Sequence, residues 1–70
     1  MDNALKHKLL SEFETMKTIE TDAHDFYCRA SEDPMVTDEV MRSRFQEIAD
    51  DEQHHTELVE RIMNLIRNCT

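Results

Sequence analysis

The chain has 70 residues with no glycine, one proline and 39% apolar residues, and its formal net charge is −8. This composition is typical of long helices and excludes a sheet-rich fold, which needs turn residues and β-branched runs. The acidic charge argues against nucleic acid or an anionic membrane as a partner, because binding to phosphates needs clustered lysine and arginine. A unit of this size buries a small core, so disulfides, a metal or a partner subunit often complete it.

The two cysteines, Cys28 and Cys69, lie far apart in the chain and form no C-x-x-C pair. A disulfide scaffold or a zinc finger is therefore not indicated. No stretch approaches the roughly 20 apolar residues of a membrane span, and no secretory signal is recognisable at the start. We expect a cytoplasmic protein in a reducing environment.

Two helices are predicted, over about residues 3–31 and 36–68. The break between them is Ser31-Glu32-Asp33-Pro34, because proline loses a helical hydrogen bond and pushes the preceding residue out of the α region. Thr37 is the predicted N-cap of the second helix, with acidic residues following it in the first turn. The short connection predicts antiparallel neighbours.

Each predicted helix carries a stripe of mostly apolar residues spaced by alternating threes and fours, which is typical of helices packed in a bundle. The stripe residues are Leu9, Phe13, Met16, Glu20, Ala23, Tyr27 and Ala30 in the first helix, and Met41, Phe45, Ile48, Glu52, His55, Val59, Ile62 and Ile66 in the second.

The polar members of these stripes are Glu20, Glu52, His55 and the hydroxyl tip of Tyr27. A buried carboxylate without a partner costs several kcal/mol even after relaxation. A bound divalent cation would compensate, since it supplies opposite charge and direct coordination together.

The Glu52-x-x-His55 spacing is a second reason to predict a metal site, because residues i and i+3 project from one helix face. Di-iron carboxylate bundles combine one Glu from each of two helices with one Glu-x-x-His from each of two others. This chain contains one of each, which is half of such a site. The predicted fold is therefore an all-α, antiparallel two-helix hairpin that dimerises into a four-helix bundle.

The same residues resemble the rubrerythrin-like branch of the ferritin-like superfamily over about residues 9–66. Glu20, Ala23, Tyr27 and Ala30 are similar to its first iron-binding helix. The run Phe45-Gln46-Glu47-Ile48-Ala49-Asp50-Asp51-Glu52-Gln53-His54-His55 is similar to its second, where Ile-Ala-x-x-Glu-x-x-His carries the ligands. With a single helix pair, the chain most resembles encapsulated ferritins, whose short subunits are helical hairpins that dimerise around a ferroxidase centre.

The resemblance implies iron ligands at Glu20, Glu52 and His55, and a tyrosine beside them at Tyr27. Glu52 is expected to bridge, with Glu20 and His55 more terminal. Two iron ions per dimer would oxidise Fe(II) with O₂ or H₂O₂; manganese or zinc are alternative metals. The implied partners are a second copy, in a homodimer or higher even oligomer, and an encapsulin shell, although residues 68–70 do not resemble a cargo-targeting tail.

Several alternatives stay open at this stage. The protein could instead be a rubrerythrin-like peroxide reductase, or a metal-free or structurally metallated hairpin acting as an assembly module. Tyr27 could pack without bonding to a ligand, and His7, His24 and His54 are expected mostly at the surface. A second apolar stripe could be the wide face of a bundle helix or a contact to further subunits; it comprises Ile19, Phe26, Leu58 and Leu65.

Overall fold

The computed structural model describes residues 1–69, which form two long helices, α1 (Asn3–Glu32) and α2 (Glu39–Arg67). Hydrogen bonds between distant residues show how they run: Lys6 Nζ donates to the Cys69 carbonyl at one end, and Ser31 Oγ to Gln46 Oε1 near the other. The helices are therefore antiparallel neighbours. This confirms the predicted all-α hairpin for the described part of the chain.

Both helices begin at an aspartate whose side chain satisfies a free backbone N–H. Asp2 accepts from the Ala4 amide at 3.2 Å, and Asp38 accepts from the Met41 amide at 3.0 Å. Thr37 was the expected cap of α2, and that prediction is wrong. Asp38 is the N-cap because its extended backbone directs its carboxylate at the first turn. The helix dipole also stabilises a negative charge at this position.

Asp33 organises the connection between the helices. Its backbone is extended, as expected before Pro34, and this ends α1. The Asp33 side chain accepts from the Met35 amide at 2.9 Å, while its carbonyl accepts from the Val36 amide at 3.0 Å. These turn bonds occupy residues 33–36, and α2 begins at Glu39, three residues after the approximate start predicted.

The hairpin core is narrow and lies mainly on one face of α2. Its buried apolar residues are Ala49, Val59, Met63 and Ile66, and Ser31 is buried on α1. The predicted stripe contained Val59 and Ile66 but missed Ala49 and Met63. Conversely, four stripe members are exposed: Met16, Met41, His55 and Ile62. The face between the two helices is thus rotated about α2 relative to the prediction.

The molecule is a thin rod with principal extents of 52 × 14 × 10 Å and a radius of gyration of 16.0 Å. A compact domain of this length would have a radius of gyration of about 11 Å. Two helices side by side have one mutual interface, so the remaining faces stay in contact with solvent. Within residues 1–69, neither helix has an apolar stretch long enough to cross a bilayer.

Candidate metal centre

Three side chains of ligand type meet near the middle of the hairpin: Glu20 from α1, and Glu52 and His55 from α2. One ligand atom from each residue lies within 4.8 Å of the other two. Antiparallel packing brings Glu20 to the height of Glu52, and the i, i+3 spacing places His55 one turn further along the same side of α2. The three residues selected from the sequence are therefore neighbours in space.

The three side chains differ in exposure: both glutamates are half-buried, and His55 is exposed. In the single chain, therefore, His55 is not covered by its own hairpin. The reason is helix geometry: at 100° per residue, His55 lies about 60° around α2 from Glu52, away from the core residues Ala49 and Met63. The cluster thus opens from the interior towards one side of the rod.

One carboxylate oxygen of Glu20 lacks a hydrogen-bond partner in the described part of the chain. Its Oε2 atom is buried, and no hydrogen-bond partner reaches it from residues 1–69. A buried carboxylate oxygen without a donor is costly, and native structures seldom leave one without a functional reason. A cation between the glutamates would satisfy this oxygen and offset the repulsion between the two carboxylates. Hard carboxylate oxygens with an imidazole are a donor set suited to iron, manganese or zinc.

Tyr27 lies on the same side of α1 but takes part in an aromatic cluster. Its ring contacts Phe26 edge-on at 5.3 Å between centroids and Phe45 in a tilted arrangement at 6.1 Å. Within residues 1–69, no hydrogen bond joins the Tyr27 hydroxyl to Glu20 or Glu52. In the single chain, the Tyr27 side chain therefore packs against Phe26 and Phe45 and orients neither glutamate.

A polar pair on the opposite side of the rod holds the register of the helices. Lys17 Nζ on α1 lies 2.7 Å from Glu60 Oε1 on α2. This hydrogen bond to Glu60 raises the pKa of the Lys17 ammonium, and the same bond lowers the pKa of the Glu60 carboxyl. The Lys17–Glu60 pair and the Ser31–Gln46 contact are thus polar links between the two helices on this side of the hairpin.

The side towards which the cluster opens is apolar and uncovered. The exposed stripe residues of α1 fall within an arc of about 80°, and those of α2 lie on the same side of the rod when 100° per residue is applied to antiparallel helices. We call this surface the apolar flank; it consists of Met16, Ile19, Phe26, Leu58, Ile62 and Leu65. Ile19, Phe26 and Leu65 are 64%, 57% and 73% exposed. The second apolar stripe is thus on this flank and not in the hairpin core.

The other histidines lie outside the cluster. His7 and His54 are exposed, as predicted, and His54 is 4.0 Å from Glu57. His24 is half-buried, in contrast to its expected surface position, and contacts Cys28 and Asp25. The sequence reasoning missed this group, although the i, i+4 spacing of His24 and Cys28 could have indicated it.

Comparison of the chain with protein-family models, with curated proteins and with solved structures found no match.

Proposed function

We propose that two copies of this chain bind a pair of iron ions between them and oxidise Fe(II). The observation that carries this proposal is the meeting of Glu20, Glu52 and His55 ligand atoms within 4.8 Å, contributed by both helices. The residue types, the Glu-x-x-His spacing and the partnerless Glu20 oxygen all favour a hard divalent cation at this position.

A single chain holds only half of the ligands that a two-metal site requires. One hairpin contributes two carboxylates and one imidazole, whereas the di-iron bundles use four carboxylates and two imidazoles. Two hairpins related by a two-fold axis would supply that set. Their four glutamates would carry a charge of about −4, which two divalent cations neutralise.

The exposed apolar flank favours a second copy of the chain as the partner that covers this side of the hairpin. The accessible surface of the chain is 5233 Å², against about 4,600 Å² expected for a compact folded chain of this size. A stable interface buries about 800 Å² per partner. Because the flank borders the ligand cluster, covering it with its own copy would bury the apolar side chains and bring two clusters together.

The chain's own residues have separate tasks in this scheme. Bound Fe(II) would supply the electrons that the oxidant takes up. Glu20 and Glu52 would hold the cations through charge, and His55 would donate a neutral nitrogen once the partner removes it from bulk water.

The experiment is oxygen consumption after anaerobic loading with Fe(II). Glu52→Gln keeps the size of the side chain but removes its charge, and we expect its iron-dependent O₂ consumption to fall to background. Glu57→Gln is the matched control, since this exposed glutamate lies five residues away on the same helix and outside the cluster. Wild-type rates in Glu52→Gln would refute the assignment.

The oxidant can be resolved with the same protein. Single-turnover mixing of the Fe(II)-loaded wild type with O₂ and with H₂O₂ compares the two rates directly. Faster oxidation by O₂ supports a ferroxidase. A strong preference for H₂O₂ would favour the peroxide-reductase alternative.

A further inference from the structure

A second group of reactive side chains lies on α1, outside the metal cluster. Cys28 Sγ is 3.5 Å from His24 Nε2, and His24 Nδ1 is 3.1 Å from Asp25 Oδ1. Cys28 and His24 are half-buried, and Cys28 is a free thiol. A thiol, an imidazole and a carboxylate are thus connected in sequence by hydrogen-bond distances.

The contacts define the direction of these hydrogen bonds. An ionised aspartate only accepts, so the His24 Nδ1 atom beside it carries the hydrogen and donates. The neutral ring then has its lone pair on Nε2, which faces the Cys28 thiol. His24 is therefore held in the tautomer that can accept the thiol proton, in the arrangement of nucleophile, base and orienting group used by activated cysteines.

We propose that Cys28 is a peroxide-reactive thiol, with His24 as its base and Asp25 as the residue that positions His24. The substrate class is small hydroperoxides, with H₂O₂ as the simplest member. A thiolate is the reactive form of cysteine towards peroxide, and a neighbouring imidazole favours its formation.

The reaction balances without a further reactant. The Cys28 proton moves to His24 Nε2, and the thiolate sulfur attacks one oxygen of H₂O₂. The S–O bond forms as the O–O bond breaks, and the departing hydroxide takes the proton from His24 as water. Sulfur loses two electrons to the peroxide, and the product is the Cys28 sulfenic acid.

This group works independently of the proposed iron site. Helix geometry at 100° per residue turns Cys28 about 80° around α1 from Glu20, towards the side of the Lys17–Glu60 pair and away from the apolar flank. Loss of metal binding would therefore leave the proposed thiol chemistry in place, and the two proposals can fail separately.

The chain contains its own matched control. Cys69 is also a free, half-buried thiol, but no imidazole contacts its sulfur within residues 1–69. The test treats the whole chain, kept in chelator, with a small excess of H₂O₂ and a sulfenic-acid trapping reagent, and measures labelling of each cysteine by peptide mass spectrometry over time.

We expect Cys28 to be labelled about tenfold faster than Cys69 or more, since a positioned base contributes at least that much in comparable reactions. His24→Gln should lower the Cys28 rate to about that of Cys69, and Asp25→Asn should give an intermediate rate. Unchanged helical circular dichroism in both variants separates loss of the base from loss of fold. Equal labelling of the two cysteines in the wild type, or an undiminished Cys28 rate in folded His24→Gln, would overturn the proposal.

Discussion

Glu20 combines a cost to the stability of the metal-free chain with a role in the proposed metal site. It is half-buried, one of its oxygens has no partner within residues 1–69, and a second carboxylate, Glu52, lies within 4.8 Å of it. The partnerless buried oxygen and the neighbouring carboxylate both lower the stability of the metal-free chain. We expect a bound ligand to offset this loss of stability.

Replacing this carboxylate should therefore stabilise the metal-free protein. Glu20→Leu removes the partnerless oxygen and the repulsion without a large change in helix propensity, so we expect the free energy of unfolding without metal to rise by about 1–2 kcal/mol. Urea denaturation in chelator measures this change.

Added metal should stabilise the wild type but not Glu20→Leu. The variant is then the more stable protein in chelator, and the wild type is the more stable protein with metal. Glu57→Leu is the control for adding an apolar side chain to an exposed position, and its effect should stay within about 0.5 kcal/mol. A Glu20→Leu protein that is less stable than the wild type in chelator would contradict this account.

At the scale of the elements, the start of α2 positions Glu52 and His55. The Asp33 turn ends α1, and Asp38 starts the next helix with a 3.0 Å bond to the Met41 amide. Glu52 and His55, the proposed ligands on α2, belong to the helix that begins at this cap. The cap therefore contributes to their position relative to Glu20.

Truncating the cap should weaken α2 from its first turn. Asp38→Ala removes the acceptor of the Met41 amide, and we expect a loss of about 0.5–2 kcal/mol in the free energy of unfolding. Thr37→Ala should change stability little, because Thr37 precedes the cap. Thermal or urea unfolding of the two variants compares them directly, and a larger loss in Thr37→Ala would restore Thr37 as the cap.

At the scale of the whole molecule, the hairpin is an elongated rod with an uncovered apolar flank. Its narrow core of four buried apolar residues, counted within residues 1–69, is small for a structure 52 Å long. Because the flank adjoins the ligand cluster, we expect association and metal binding to be coupled: each cation reduces the repulsion between the four carboxylates that dimerisation brings together.

Polar substitutions on the flank should dissociate the proposed dimer. We expect Phe26→Ser with Leu65→Ser to halve the mass measured by sedimentation or light scattering. Met35→Ser is the control, since Met35 is 86% exposed but lies in the connection between the helices. An unchanged mass in the double variant would show that the flank is not the subunit contact.

Mn(II), added without oxygen at about 100 times its dissociation constant, should raise the melting temperature of the wild type by about 10–20 °C. The dissociated flank variant should gain much less, because its ligand sets remain halved. If chelator and Mn(II) leave both mass and melting temperature unchanged in the wild type, the metal-free assembly module is the better description.

The ligand cluster could be selected from the sequence because its signals are local. The Glu-x-x-His spacing, the lone Glu20 in an apolar stripe and the single proline are all visible without coordinates, and helix periodicity turns them into positions on a face. The face itself was predicted less well. Leu, Met and Ile residues occur on both sides of the true core, so periodicity alone did not distinguish Ala49 and Met63 from Ile48 and Ile62.

The sequence by itself therefore determined two long helices, an antiparallel hairpin and the identity of the clustered side chains, since composition and short-range spacing are enough for these features. Tertiary packing decided which stripe faces inward, that His55 is exposed, and that His24 contacts Cys28 while Lys17 pairs with Glu60. The physical reason is that the rotation of one helix against another depends on how all the side chains along 52 Å fit together. No short segment of the chain contains that information.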